Sequence, residues 1–365
     1  MMLNVPSTPK TDPAAVWLRR SSPSAESVRA FLQSGALFAW SEDRWIIAWG
    51  EPVKAAQPHP DHVSFYRPDF MLRDLQPWRI YPHAAAVSPD GLAQQLQGET
   101  FVRAWREFDV TAFAATFHAV QAALRRGELS KAVPAVFEQS AGPLQEAELE
   151  RALRALANLP AGLMPYGYWD ANGGCLGASP ELLFANDGVE IHTMAVAGTA
   201  RAGRAPDEMM DDPKERSEHA LVLEDLTAQI GPLGSVTRGA TRLWRIGILS
   251  HLRTDLRVAP AQTPSFADLV HLLHPTPAVG IAPRGDWRTW VGRLDGADRG
   301  AFAAPFGLSL PDGTTRCLVA IRGVQWNRES ARCGAGCGLV AGSDLARETA
   351  ELRLKLAATR GNLGL

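Results

Sequence analysis

The chain has 365 residues, 46% apolar and 21% charged, which suits one large soluble domain, or two ordinary ones, with a substantial core. Its net charge of −2 gives no basis for binding nucleic acid or an acidic membrane surface. No run approaches the roughly 20 apolar residues of a membrane span, and the N-terminal MMLNVPSTPKTDPAAVWLRR lacks a signal-peptide core, so a cytoplasmic protein is expected.

Residues 1–25 are rich in Pro, Ser and Thr and read as loosely held; 26–365 read as one domain. From 26 to about 100, strand-like runs such as ALFAW (36–40) and RWIIAWG (44–50) alternate with Pro-rich loops such as AAQPHPDH (55–62). The periodicity of 112–129 predicts an amphipathic helix ending on Gly127. KAVPAVFE (131–138) reads as a strand despite Pro134, and 144–159 as another helix. Consecutive strands are expected at 165–170, 174–187 and 190–196, then a helix over 211–230. After 241–256 come a short helix near 265–273 and the loop HPTPAVGIAPRG (274–285). Strands at 301–310, 315–326 and 329–341 precede a closing helix. Clustered strands interrupted by long helices predict an α+β fold rather than a regular βαβ wind.

The four cysteines, Cys175, Cys317, Cys333 and Cys337, are too few and scattered for a disulfide scaffold. Cys333 and Cys337 are four apart, but no further ligand follows at zinc spacing, so buried thiols are expected. The 11 tryptophans show no stacking pattern and read as core and rim packing.

Chemistry-bearing residues occur in several short blocks. Glu215 and Glu218 lie at i, i+3 in DDPKERSEHALVLEDL, and Glu348 and Glu351 repeat that spacing in SDLARETAELRLKL, with Lys355 one turn on. Each set falls on one helix face, and four carboxylates from two helices suit one hard divalent cation; a solvated helix face is the plainer reading. Lys131 heads an apolar strand, where burial favours the neutral amine a base needs; an exposed strand-start lysine is the alternative. Glu181 lies in the apolar run GASPELLF, a setting that keeps a carboxyl protonated as a general acid must be, unless it faces outward. Gly198 and Thr199, in AVAGTARAG, offer close backbone approach and two donors to an anion, or a plain turn. GAGCGLVAGS (334–343) is a second Gly-rich turn without dinucleotide spacing. Arg322, within the strand LVAIRGVQW, is a carboxylate clamp or a structural ion pair.

Taken in order, GELSKAVPA, GASPELLF, AGTARAG, KERSEH, SHLRTDL, HPTPAVGIAPR, AIRG and GCGLVAGSDLARETAELRLK resemble the chorismate-utilising enzymes, from about residue 100 to the C-terminus. The group contains isochorismate synthase, salicylate synthase and the large chains of anthranilate and aminodeoxychorismate synthase. The resemblance implies a single large α+β domain of two sheets packed face to face with helices outside. It implies Mg2+ held by Glu218 and Glu351, supported through water by Glu215 and Glu348, with the ion holding the ring carboxylate of chorismate. Gly198, Thr199, Gly336, Arg322 and Lys355 then bind carboxylate, and His251 and Ala278 line the pocket. Lys131 matches the lysine that takes a proton from the water attacking C2, and Glu181 the acid that protonates the departing C4 hydroxyl.

Ala197 stands where aminodeoxychorismate synthases that form a covalent adduct carry lysine, and Lys131 argues against ammonia-dependent members. Ala278 and Phe302 stand where salicylate synthases tend to have threonine and tyrosine. The expected activity is therefore that of an isochorismate synthase, a monomer without an amidotransferase subunit, feeding menaquinone or siderophore synthesis. The alternatives are a salicylate synthase, which also eliminates pyruvate, and a degenerate chorismate-binding protein. The last is motivated by Ile281 and Ala304, which replace customary glycines; Val136, which replaces a customary arginine, is a further departure.

Overall fold

The computed structural model describes residues 22–98, 103–201 and 209–365; most of the N-terminal segment, including Trp17, and Ala202 and Gly203 of AGTARAG lie outside the described residues. Helix α1 (Ala25–Gln33) leads into strands β1 (Gly35–Ser41), β2 (Arg44–Trp49), β3 (Val53–Ala55), β4 (Ser64–Tyr66), β5 (Trp78–Ile80) and β6 (His83–Val87). Helices α2 (Pro89–Ala93) and α3 (Val110–Arg125) follow, then β7 (Lys131–Ala132), β8 (Ala135–Ala141), α4 (Glu146–Leu156), β9 (Met164–Asp170), β10 (Gly173–Ser179), β11 (Leu182–Asn186) and β12 (Ile191–Arg201). Helix α5 (Pro213–Ile230) precedes β13 (Gly234–Arg238), β14 (Arg242–Ile246), β15 (Leu249–Pro260), α6 (Phe266–Leu273), β16 (Ile281–Ala282) and α7 (Trp287–Leu294). Strands β17 (Pro305–Ser309), β18 (Thr315–Val319), β19 (Gly323–Asn327), β20 (Ser330–Gly336) and helix α8 (Leu345–Leu363) complete the order.

Among the described residues, eight strands form one sheet in the order β6-β2-β1-β9-β10-β19-β20-β8. Ten form a second, β13-β15-β12-β11-β18-β17-β4-β5-β3, with β14 also paired to β15. Strand alternation sorts side chains between layers. In β1 and β2, Ala36, Phe38, Ile46 and Ala48 face an inter-sheet core with Phe65, Phe306 and Leu318 of the second sheet. Their neighbours Leu37, Ala39, Trp45 and Ile47 face α1, α3, α4 and α8. The second sheet turns its outer face to Val222, Leu226 and Ile230 of α5 and to Leu269, Val270 and Leu273 of α6. Strands buried on both faces read as near-continuous apolar runs, as ALFAW and RWIIAWG do. The result is the face-to-face α+β sandwich with outer helices that the resemblance implies.

Helix ends follow local chemistry. Asp109 and Asp212 cap α3 and α5 through their side chains, and Gly127 (φ 72°) takes the left-handed turn after α3. All four cysteines are buried free thiols. Among the described tryptophans, Trp40, Trp45, Trp78 and Trp169 are core residues, and Trp244, Trp287, Trp290 and Trp326 pack at its rim.

Three runs expected as single strands are each two strands. The 131–138 run breaks at Val133–Pro134: β7 pairs β16, while β8 joins the first sheet against β20. Pro134 has no N–H for a continuous ladder. The 174–187 run breaks at Pro180–Glu181, where β10 leaves the first sheet and β11 enters the second. The 315–326 run breaks between Val319 and Gly323, where β18 and β19 again belong to different sheets. Arg322 is therefore not a strand residue but sits at the crossing with φ 58°, a conformation rare for a side chain with a Cβ. Of the departures from customary residues, Ile281 and Val136 pack into the core beneath the helices, and Ala304 into the core under α5 and α6.

Candidate active site

The three sheet crossings deliver Lys131, Glu181 and Arg322 to one region. Lys131 is held between two partners: Ala282 pairs with it across β16, and Ala132 bridges Leu339. It is fully buried, and its Nζ lies 3.1 Å from Glu218 Oε1. Gly338 permits this approach, because a Cβ there would stand 2.0 Å from Glu218 Oε1 and 2.8 Å from Lys131 Cε.

Glu181 is fixed by its own backbone. Its N–H donates to Ser179 Oγ (3.1 Å) and its carbonyl accepts from the Val319 N–H (3.0 Å). The residue is 4% exposed, and burial pushes the pKa of its carboxyl up to about 7, although the positive charge of Lys131 and a 3.5 Å contact from Thr276 Oγ1 pull the other way. Ala278 follows on the same loop, its N–H donating to Thr276 Oγ1 at 3.2 Å.

Gly198 forms a bulge in β12, where the register against β15 shifts between Ala197 and Thr199 and φ is 73°. The Thr199 N–H points at Glu215 Oε2 (2.9 Å). On β15, His251 Nδ1 donates to the Gly198 carbonyl at 3.0 Å, which leaves Nε2 as the acceptor facing Arg322 Nη2 at 3.4 Å. Burial, then the charge of Arg322, drives the His251 pKa down to about 3, so the imidazole is neutral. Burial also lowers Arg322, to about 10. Lys355 Nζ donates to the Gly336 carbonyl (2.8 Å) and pairs with Glu351 Oε1 (2.6 Å).

The acidic helix faces meet as their spacing predicts, with a lysine between them. Lys214 Nζ lies 3.1 Å from Glu348 Oε1, 3.2 Å from Glu218 Oε2 and 3.6 Å from Glu215 Oε1. The carboxylates differ by neighbour. Burial raises the Glu218 pKa, but Lys131 and Lys214 outweigh it and hold it at about 2. Burial pushes Glu215 up to about 7, and burial together with the charge of Glu351 raises Glu348. Both Glu348 oxygens are buried, Oε1 against the Lys214 ammonium, and the all-carboxylate donor set around that ammonium fits a hard cation. Arg347 Nη2 closes the outer edge on Glu215 Oε1 at 2.6 Å.

A cavity of about 200 Å³ opens between the Ile246–Leu249 turn and the last turns of α8; His251 and Arg322 line it, with Pro180 beside Glu181. Sequence reasoning left Lys214, Gly338, Thr276 and Arg347 without roles. The i, i+4 spacing of Lys214 and Glu218 was a legible signal; Gly338, Thr276 and Arg347 had none.

Residues 83–364 match a protein family described as chorismate binding enzyme. The chain belongs to this family. It is 32% identical over 316 residues to the salicylate biosynthesis isochorismate synthase of Pseudomonas aeruginosa, which covers 84% of this chain and 63% of that protein. It is 30% identical over 190 residues to the isochorismate synthase MenF of Bacillus subtilis, covering 50% of this chain and 40% of that protein. This family member thus spans less than two thirds of the length of either relative. The fold matches the menaquinone-specific isochorismate synthase MenF of Escherichia coli with a TM-score of 0.76 at 19% identity, over 93% of this chain and 91% of that one. Among the described residues no helix is long and apolar enough to cross a membrane.

Proposed function

We propose that the protein is a magnesium-dependent isochorismate synthase that converts chorismate to isochorismate. The observation that carries this reading is the pairing of a fully buried lysine with a buried carboxyl whose pKa is about 7, within electrostatic reach of each other. A base and an acid kept close but separately positioned suit an exchange in which one proton is taken and another given. Lys131, acting as the neutral amine, takes a proton from water as the water oxygen bonds to C2 of the ring. Glu181 gives its proton to the C4 hydroxyl as the C4–O bond breaks and water leaves. The ring double bonds shift between those events, so atoms and charge balance.

Arg322 and Lys355 supply positive charge for the substrate carboxylates, and His251, neutral and with Nε2 as acceptor, orients Arg322. Glu218 and Glu351 would hold magnesium directly and Glu215 and Glu348 through water, a donor set of carboxylate oxygens that suits a hard cation. When bound, that ion supplies a positive centre for the ring carboxylate. Water rather than ammonia is the nucleophile, so no amidotransferase subunit is needed.

Incubation with chorismate and Mg2+, followed by separation of products, tests the reading. Isochorismate without salicylate or pyruvate is expected. Salicylate with pyruvate would make the protein a salicylate synthase, and unchanged chorismate would make it a binding protein.

A further inference from the structure

The carboxylate cluster carries a cation of the protein's own. Lys214, near the start of α5, has a side chain only 6% exposed, and its ammonium contacts carboxylates of both α5 and α8. The neighbouring cations each take one carboxylate of the set from its rim: Lys131 takes Glu218 Oε1, Lys355 takes Glu351 together with the Gly336 carbonyl, and Arg347 takes Glu215 together with Asp212 at the more exposed edge. Lys214 is thus the buried bridge between the two acidic helices. The contacts of 3.1–3.6 Å to Lys214 are ammonium distances. Magnesium needs oxygens at about 2.0–2.1 Å. Among the described residues no three or more His, Cys, Asp or Glu side chains are gathered tightly enough to hold a metal ion.

We propose that Lys214 is a built-in counter-ion that exchanges places with the divalent cation: its ammonium holds the carboxylates together in the metal-free protein and leaves them when the metal arrives. The inference rests on the metal assignment made above. Without either cation, Glu348 would lose its ammonium partner beside the other carboxylates, and an uncompensated buried charge is strongly destabilising. With both present, an ammonium and a dication would compete for the same oxygen lone pairs of Glu218 and Glu348 and repel each other. The exchange keeps α5 and α8 assembled in the empty enzyme, and its cost is a weaker apparent affinity for the metal, because binding must first displace a good internal ligand.

Amine labelling of the wild-type protein with acetic anhydride, read peptide by peptide by mass spectrometry, tests this directly. Lys214 is expected to be protected in EDTA and to label severalfold faster in saturating MgCl2. In Lys214→Met, the Mg2+ dissociation constant measured by calorimetry is expected to fall at least about tenfold. The variant's melting temperature should drop in EDTA and recover with Mg2+. If Mg2+ binds the wild type but Lys214 labelling is unchanged, or if the variant binds Mg2+ more weakly, the exchange is wrong and the metal site stands. If Mg2+ binds neither protein, both the exchange and the metal assignment fall. Should the variant not fold, the wild-type labelling decides alone.

Discussion

Two buried ion clusters in this molecule are built on opposite terms. Arg103 pairs with Glu148 through Nε and Nη2 at 2.8 and 2.9 Å, and its Nη1 donates to Ser140 Oγ and to the carbonyls of Ala141 and Gly142. Glu148 also accepts the Gln145 N–H at the start of α4. Burial raises the Glu148 pKa, but these donors more than offset it and hold the carboxyl below its usual range. Around Lys214, by contrast, one ammonium is shared among Glu215, Glu218 and Glu348, and Glu215 and Glu348 are pushed up. A buried charge whose donors and acceptors are nearly all matched is a brace. A buried cluster in which one ammonium is shared among three carboxylates, two of them pushed up, suits exchange with a cation from outside.

That contrast is open to experiment at both clusters. The largest effect belongs to the site: Lys131→Ala is expected to slow isochorismate formation by about 10³-fold, the usual scale for a lost general base, as measured by chromatographic product assay. Turnover equal to wild type would place Lys131 with the braces. Next, Glu148→Ala leaves Arg103 buried and unpaired and should cost about 3–5 kcal/mol in urea unfolding, with the remaining folded enzyme keeping its rate. A loss of rate at full stability would erase the distinction. Third, Glu181 must be protonated to act as the acid, and its folded-state pKa is about 7. kcat/KM should therefore fall about tenfold per pH unit above that value, as the proton is lost, and Glu181→Gln should abolish this limb. The smallest effect is at Thr276, whose hydroxyl favours ionised Glu181. Thr276→Val should move the same limb upward by a fraction of a unit, with less than about a threefold change in rate.

Much of the site was legible because its chemistry is local. The i, i+3 carboxylates of α5 and α8, the glycine at 198 and the apolar run around Glu181 announce themselves by residue type and spacing. The strand breaks were not legible. KAVPAVFE, GCLGASPELLFAND and the run containing AIRG are apolar throughout, and an apolar run reads the same whether it stays in one sheet or crosses between two. Pro134 and Pro180 marked two of the crossings, but Arg322 takes its φ of 58° without a glycine or proline of its own to signal it.

The sequence by itself determined the α+β class, the family and the residue types of the candidate acid, the candidate base and the carboxylate cluster. These follow from periodicity and motif order, which are properties of neighbouring residues. The tertiary structure alone decided that Lys131, Glu181 and Arg322 each sit where the chain passes out of a sheet, that Gly338 leaves room for Lys131 to reach Glu218, and that Lys214 stands among the glutamates. Those facts depend on which distant segments share a layer, and many pairings would bury the same apolar runs equally well. Only the packed chain selects the one that brings these charges together.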